Sequence, residues 1–159
     1  MANQAIIDLL NDVLCAELTA INQYFLHAKL CGHWGYDVLD KASRSQSVGE
    51  MKHADMLISR ILYLDGTPNL QKLGKVLVGE SVPEQMQLDK NLEADAIQRL
   101  NAGIDLCTKH GDHGTRMLLE SILASEEAHY EWLDKQCQLI SALGEANYLM
   151  QKMSQAAPE

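Results

Sequence analysis

Apolar positions recur at helical spacing along most of this chain. The periodic segments run from about residue 4 to 34, 37 to 64, Pro83 to Lys109 and 114 to 143. Turn residues punctuate them: Gly32 and Gly35 break the first, and Asp65-Gly66-Thr67-Pro68 stop the second. Pro83 stands at the first helical position of the third, with Ser81 or Val82 before it. Lys109-His110-Gly111 end the third, and Gly144 closes the fourth. Residues from about 145 to 155 predict a short fifth helix, and 154–159 a frayed tail. Between about 65 and 82 no period is sustained, and Gly66, Pro68, Gly74 and Gly79 interrupt the stretch.

Short connections after the first and third helices make two antiparallel hairpins. The connection between the second and third reaches roughly 60 Å when extended. It can therefore run the length of a ~45 Å helix and set the third parallel to the second. The expected fold is all-α: a four-helix bundle with one long crossover and a short C-terminal fifth helix, forming one domain over residues 1–159.

The inward stripes carry an anomaly. The first helix turns Ile6, Leu10, Val13, Glu17, Ala20 and Tyr24 to one side, and the second Leu39, Ala42, Glu50, His53, Leu57 and Leu64. The third offers Met86, Glu93, Ile97, Leu100 and Ile104, and the fourth Leu119, Ile122, Glu126, His129, Leu133 and Ile140. Glutamates and histidines thus interrupt apolar faces. Glu50 with His53, and Glu126 with His129, are Glu-x-x-His pairs, each preceded by a glutamate at the same interval of 33 residues, Glu17 and Glu93. Residues three apart share a helical face. About 0.4 such pairs are expected by chance in this composition, so the motif alone decides little. Height decides more: at about 1.5 Å per residue, all six fall in the middle third of the bundle. Buried carboxylates without compensation are costly, and two divalent cations among them remove that cost.

Composition agrees with this reading. Apolar residues make up 47%, aromatics 5%, and Pro only three positions, which disfavours a β-sandwich. A net charge of −9 argues against nucleic acid or an anionic membrane as partner and suits small cations. Cys15, Cys31, Cys107 and Cys137 form no Cys-x-x-Cys pair and read as small buried hydrophobes in a reducing compartment. The start, Met1-Ala2-Asn3-Gln4, lacks a basic signal-peptide region, and no run approaches the ~18 apolar residues of a membrane span. The expected location is cytoplasmic.

Met51 is a second signal. It lies about 100° around the helix from Glu50 and about 160° from His53, so it faces away from the six. Leu14, Leu18, Ile21 and Phe25 form a second apolar stripe on the first helix, which with Val48 and Met51 suggests a partner surface. Tyr24 points towards the level of the six, either to bond a bridging carboxylate or to pack with its hydroxyl satisfied. His27, His33, His110 and His113 read as surface or satisfied histidines, and Lys52, Asp55 and Glu127 as solvated or subunit-facing flanks.

A Glu from each of two helices plus Glu-x-x-His from each of the other two is the ligand set of ferritin-like di-iron carboxylate bundles. Within that group the chain resembles the bacterioferritins over nearly its whole length. The likeness is sharpest at Ala20-Ile21-Asn22-Gln23-Tyr24-Phe25-Leu26-His27-Ala28, Glu50-Met51-Lys52-His53-Ala54-Asp55 and Pro68-Asn69-Leu70-Gln71, with Val78-Gly79-Glu80 and Asn147-Tyr148-Leu149 besides. The resemblance implies a ferritin-like bundle, a cage of 24 subunits, and ferroxidase activity on Fe(II) with oxygen or hydrogen peroxide. It also implies storage of iron as mineral, haem b shared by two subunits through Met51, and a ferredoxin-type electron donor. It makes Glu17, Glu50, His53, Glu93, Glu126 and His129 the ligands of two irons, with Glu50 and Glu126 bridging. Glu17 with His53, and Glu93 with His129, would complete one iron each.

Two positions depart from the pattern. Ser45 and Gly49 stand where many bacterioferritins carry a histidine and an aspartate facing the cavity, and neither is a good iron ligand. The competing function is therefore a haem-binding or assembly subunit with weak ferroxidase activity, working with a second chain type. A rubrerythrin-like peroxidase would bring Cys-x-x-Cys pairs, which are missing. A DNA-protecting mini-ferritin would place its metal between subunits.

Overall fold

The computed structural model describes residues 3–154 and 157. Helices α1 (Gln4–His33), α2 (Asp37–Tyr63), α3 (Val82–Lys109) and α4 (His113–Leu143) are long, and α5 (Glu145–Met150) is a turn and a half. The described residues contain no strand. This is the expected all-α bundle, with an extended crossover between α2 and α3 and a short fifth helix. Gln151 onwards lies outside α5, shorter than anticipated, and the expectation of a frayed tail falls mostly on residues outside those described.

Side-chain caps define the boundaries. Asn3 accepts from the Ala5 N–H, Ser81 from Glu84 and Asp112 from Thr115, satisfying backbone donors that helix starts leave free. Ser81 is the cap and Val82 the first helical residue, so Pro83 falls one position later than the sequence suggests. Its missing N–H is harmless there too. Gly144 closes α4 with φ at 81°, a left-handed turn that a side chain would strain.

The crossover is fastened to α1 by a ladder of polar side chains. Asn11 bonds Thr67 and Asn69, Thr19 Oγ1 accepts from the Gly74 N–H, Gln23 from Leu77 and His27 Nε2 from Gly79. Both sequences climb together, so the crossover runs beside α1 in the same direction. It delivers α3 to the end of the bundle where α1 finishes, where Cys31 of α1 meets Gln85 of α3. Because His27 Nε2 accepts, its ring proton sits on Nδ1 and is donated to Asp89 of α3 at 2.9 Å, beside a second bond to Asp89 from Gln23. His27 is thus a satisfied core histidine, while His33, His110 and His113 are exposed.

Two apolar cores flank the middle of the bundle. One gathers Ile6, Leu10, Leu57, Ile61, Leu100, Leu119 and Ile122, and the other Leu39, Val82, Met86, Leu133 and Tyr148. Leu14 belongs to the first and is fully buried, so it is not part of an outward stripe. Leu18 and Ile21 are half-buried against the same core. The reason is that α1 packs on both α2 and α3, which widens its buried arc. Ala42, Ile97, Ile104 and Ile140 are half-buried, whereas Ser43 and Ser47 are buried, Ser47 donating to the Ile21 carbonyl. No helix among the described residues is long and apolar enough to cross a membrane.

The glycines give a stability test. A Cβ at Gly79 would stand 2.5 Å from the Gln85 backbone nitrogen, whereas one at Gly49 would meet nothing within 4 Å. Gly79→Ala is expected to destabilise the protein by about 1–3 kcal/mol, and Gly49→Ala, mid-helix, to stabilise it by about 0.5–1 kcal/mol. Denaturant unfolding midpoints check both signs.

Candidate metal centre

Between the two cores, all four long helices turn acidic or imidazole side chains inward at one level. Glu17 comes from α1, Glu50 and His53 from α2, Glu93 from α3, and Glu126 and His129 from α4. All six are buried, His53 the most exposed at 8% and Glu93 and Glu126 the least at 1%. The ligand atoms fall into two sets of four, Glu17-Glu50-His53-Glu126 and Glu50-Glu93-Glu126-His129, each spanning no more than 4.8 Å. Glu50 and Glu126 belong to both. The arrangement therefore offers two adjoining positions with a shared pair of carboxylates.

Hydrogen bonds hold this geometry only in part. His53 Nδ1 lies 2.9 Å from Glu126 Oε1 and 3.1 Å from Glu50 Oε2, and His129 Nδ1 lies 2.9 Å from Glu93 Oε1. The Tyr24 hydroxyl donates to Glu93 Oε1, and its ring meets His129 edge-on with centroids 5.1 Å apart. Tyr24 thus bonds a carboxylate belonging to one set, not a shared one. Glu17 Oε2 and Glu93 Oε2 are buried with no hydrogen-bond partner. An acceptor left bare in a protein interior costs about 1–3 kcal/mol, more when charged. Two such oxygens, one on each side of the shared pair, are where cations fit.

The electrostatics agree. Burial is the main cause that raises the Glu17, Glu93 and Glu126 carboxyls, with neighbouring glutamates adding to it. Burial, followed by Glu17, pushes Glu50 up to about 7. Burial works against a charged His53, but Glu126, Glu17 and Glu50 outweigh it and raise the imidazole to about 12. Without cations the cluster is short of positive charge, and its carboxyls hold protons more tightly than free ones do. An oxygen-rich donor set with two imidazole nitrogens suits ferrous and ferric ions among first-row metals.

The other predicted residues lie apart from this centre. Met51 is 56% exposed on the opposite face of α2, and Val48, one turn before it, and Phe25 of α1 are exposed too. Ser45 is exposed and Gly49 half-buried. Lys52, Asp55 and Glu127 are exposed. Sequence reasoning missed Asp89, which with Gln23 and His27 builds a buried polar clamp one helical turn from Glu93. No motif announces it, because both of its partners come from α1, far away in sequence.

A helical bundle with a buried carboxylate-imidazole cluster of this kind defines a class, and a family model for the ferritin-like domain matches residues 7–143. The chain is 48% identical over 154 residues to a bacterioferritin of Streptomyces coelicolor, covering 97% of this chain and 92% of that one. It is 43% identical to bacterioferritin BfrA of Mycobacterium tuberculosis, with 94% of each chain covered. With a bacterioferritin of Brucella melitensis the identity is 41%, over 90% of this chain and 89% of that one. The chain belongs to the bacterioferritin family.

The raised groups set a pH dependence for the metal-free protein. Glu50 binds its proton more tightly folded than unfolded, so its contribution is complete below 4.5 and is lost as pH rises to about 7. His53 acts in the same direction, its contribution complete below 6.5 and lost as pH climbs to about 12. Unfolding midpoints of metal-free protein are expected to fall between pH 5 and 7.5. Glu50→Gln should flatten that fall by on the order of 2–3 kcal/mol, at about 1.4 kcal/mol per pKa unit.

Proposed function

We propose that this protein stores and detoxifies iron as a ferroxidase, taking Fe(II) as substrate at the six-residue cluster and passing Fe(III) to a mineral. The observation that carries the reading is the pair of four-donor sets sharing Glu50 and Glu126, flanked by the unpartnered oxygens of Glu17 and Glu93. Family membership supports it, because bacterioferritins are iron-storage proteins.

In this reading Glu17 with His53 holds one Fe(II) and Glu93 with His129 the other, while Glu50 and Glu126 serve both. The shared carboxylates keep the two ions close enough to give up electrons together to oxygen or hydrogen peroxide. Glutamates that carried protons release them as the ions bind, so loading is favoured at higher pH. The Tyr24 hydroxyl steadies Glu93, and the apolar cores on either side keep bulk water from the cluster.

The wider setting follows the same reading. The chain acts as one domain, assembles with 23 copies into a cytoplasmic cage, and receives electrons for iron release from a ferredoxin-type donor. The exposed Met51 thioether, with exposed Val48 one turn before it on α2, would hold the iron of a haem b shared with a second copy. Bound there, the haem would supply one-electron transfer between mineral and donor. The open space at Gly49 and the exposed Ser45 favour one other reading, a haem-binding or assembly subunit with weak activity beside a second chain type.

Aerobic Fe(II) oxidation by purified protein separates the two. Glu17→Ala and Glu126→Ala are each expected to lower the initial rate by about a hundredfold or more. Equal rates in wild type and variants would remove the ferroxidase. Met51→Leu is expected to abolish the haem absorbance while oxidation persists; retained absorbance would discredit that ligand.

A further inference from the structure

A cavity of about 650 Å³ opens between α1, α3 and the crossover. Lys72 and Lys75 of the crossover and Arg99 of α3 line it, together with Asp12 of α1 and Asp95 of α3. The ion pairs made by lysines and arginines among the described residues lie elsewhere, at Arg44, Arg60, Lys90, Arg116 and Lys135. Three unpaired cations therefore surround one cavity on a chain whose net charge is −9. Directly inward lies a void of about 10 Å³, and Ala16 and Leu92 line both spaces. Glu17, Glu50, Glu93 and Glu126 line this void as well.

We infer that the outer cavity receives Fe(II) as a small polycarboxylate chelate, and that the ion parts from its chelator at the void. The inference rests on reading the six-residue cluster as the iron site. A bare divalent cation gains nothing by resting among three unpaired cations, and a simple anion would leave Asp12 and Asp95 facing it. A metal chelate presents both signs, carboxylates towards Lys72, Lys75 and Arg99 and metal or hydroxyl towards the aspartates. Size then sorts the two parts. A chelator of citrate size fits the outer cavity, but the void holds about one water-sized particle, so only the ion proceeds. Iron–oxygen bonds to the chelator break as bonds to the unpartnered oxygens of Glu17 or Glu93 form; iron remains Fe(II), and the chelator leaves with its carboxylates ionised.

Cobalt tests this without oxidation. Transfer of Co(II) into the intact metal-free protein is followed by visible absorbance, from cobalt chloride and from cobalt citrate. Combined Lys72→Ala, Lys75→Ala and Arg99→Ala is expected to slow transfer from citrate about tenfold and not to slow transfer from chloride. Leu92→Phe, which crowds the void, is expected to slow both sources alike. Equal effects of the triple variant on both sources, or none, would overturn the chelate site, and unchanged transfer in Leu92→Phe would overturn the route. Failure of wild type to take up cobalt from either source would instead overturn the iron-site reading beneath.

Discussion

Everything in this molecule is arranged around negative charge held out of water. Four carboxylates converge within two overlapping sets no wider than 4.8 Å. At an effective dielectric constant of about 20, two unit charges at that distance repel by about 3–4 kcal/mol. Two imidazoles and the Tyr24 hydroxyl cannot offset all the pairs, and two carboxylate oxygens are left bare. A fold that tolerates this does so either by keeping protons on its glutamates or by admitting cations, and the raised carboxyls lean towards the first where no cation is bound.

The rest of the bundle makes that concentration of charge possible. Apolar cores above and below supply the burial, and they also supply the stability that the cluster subtracts from. The crossover contributes by direction. Laid along α1 through Asn11, Thr19, Gln23 and His27, it returns the chain to the far end of the bundle. Only then does α3 run so that Glu93 arrives at the level of Glu17. The Asp89 clamp ties α1, α3 and the crossover together one turn away, which fixes the height of Glu93 against Tyr24.

Much of this was legible in the sequence because helices are arithmetically regular. A glutamate and a histidine three apart must share a face, and rise per residue converts position into height, so the convergence of six residues could be expected before any coordinates. The crossover's extended character followed from its glycines and lost periodicity. What the sequence hid were contacts between a helix and an irregular segment. Nothing in Thr19 or His27 says that a backbone N–H of the crossover will meet it, and Asp89 looks like any helical aspartate. Leu14 turns inward, against the stripe its helix alone suggests, because α1 has neighbours on two sides.

The two four-donor sets call for two divalent cations per chain, with Glu50 and Glu126 shared between them. Titration of metal-free protein with Co(II), followed by its visible d–d absorbance, measures this most directly. Saturation is expected at two ions per chain, with loss of tight binding at both positions when Glu126 is replaced by Ala. Saturation at one ion, or an unchanged titration in Glu126→Ala, would contradict it.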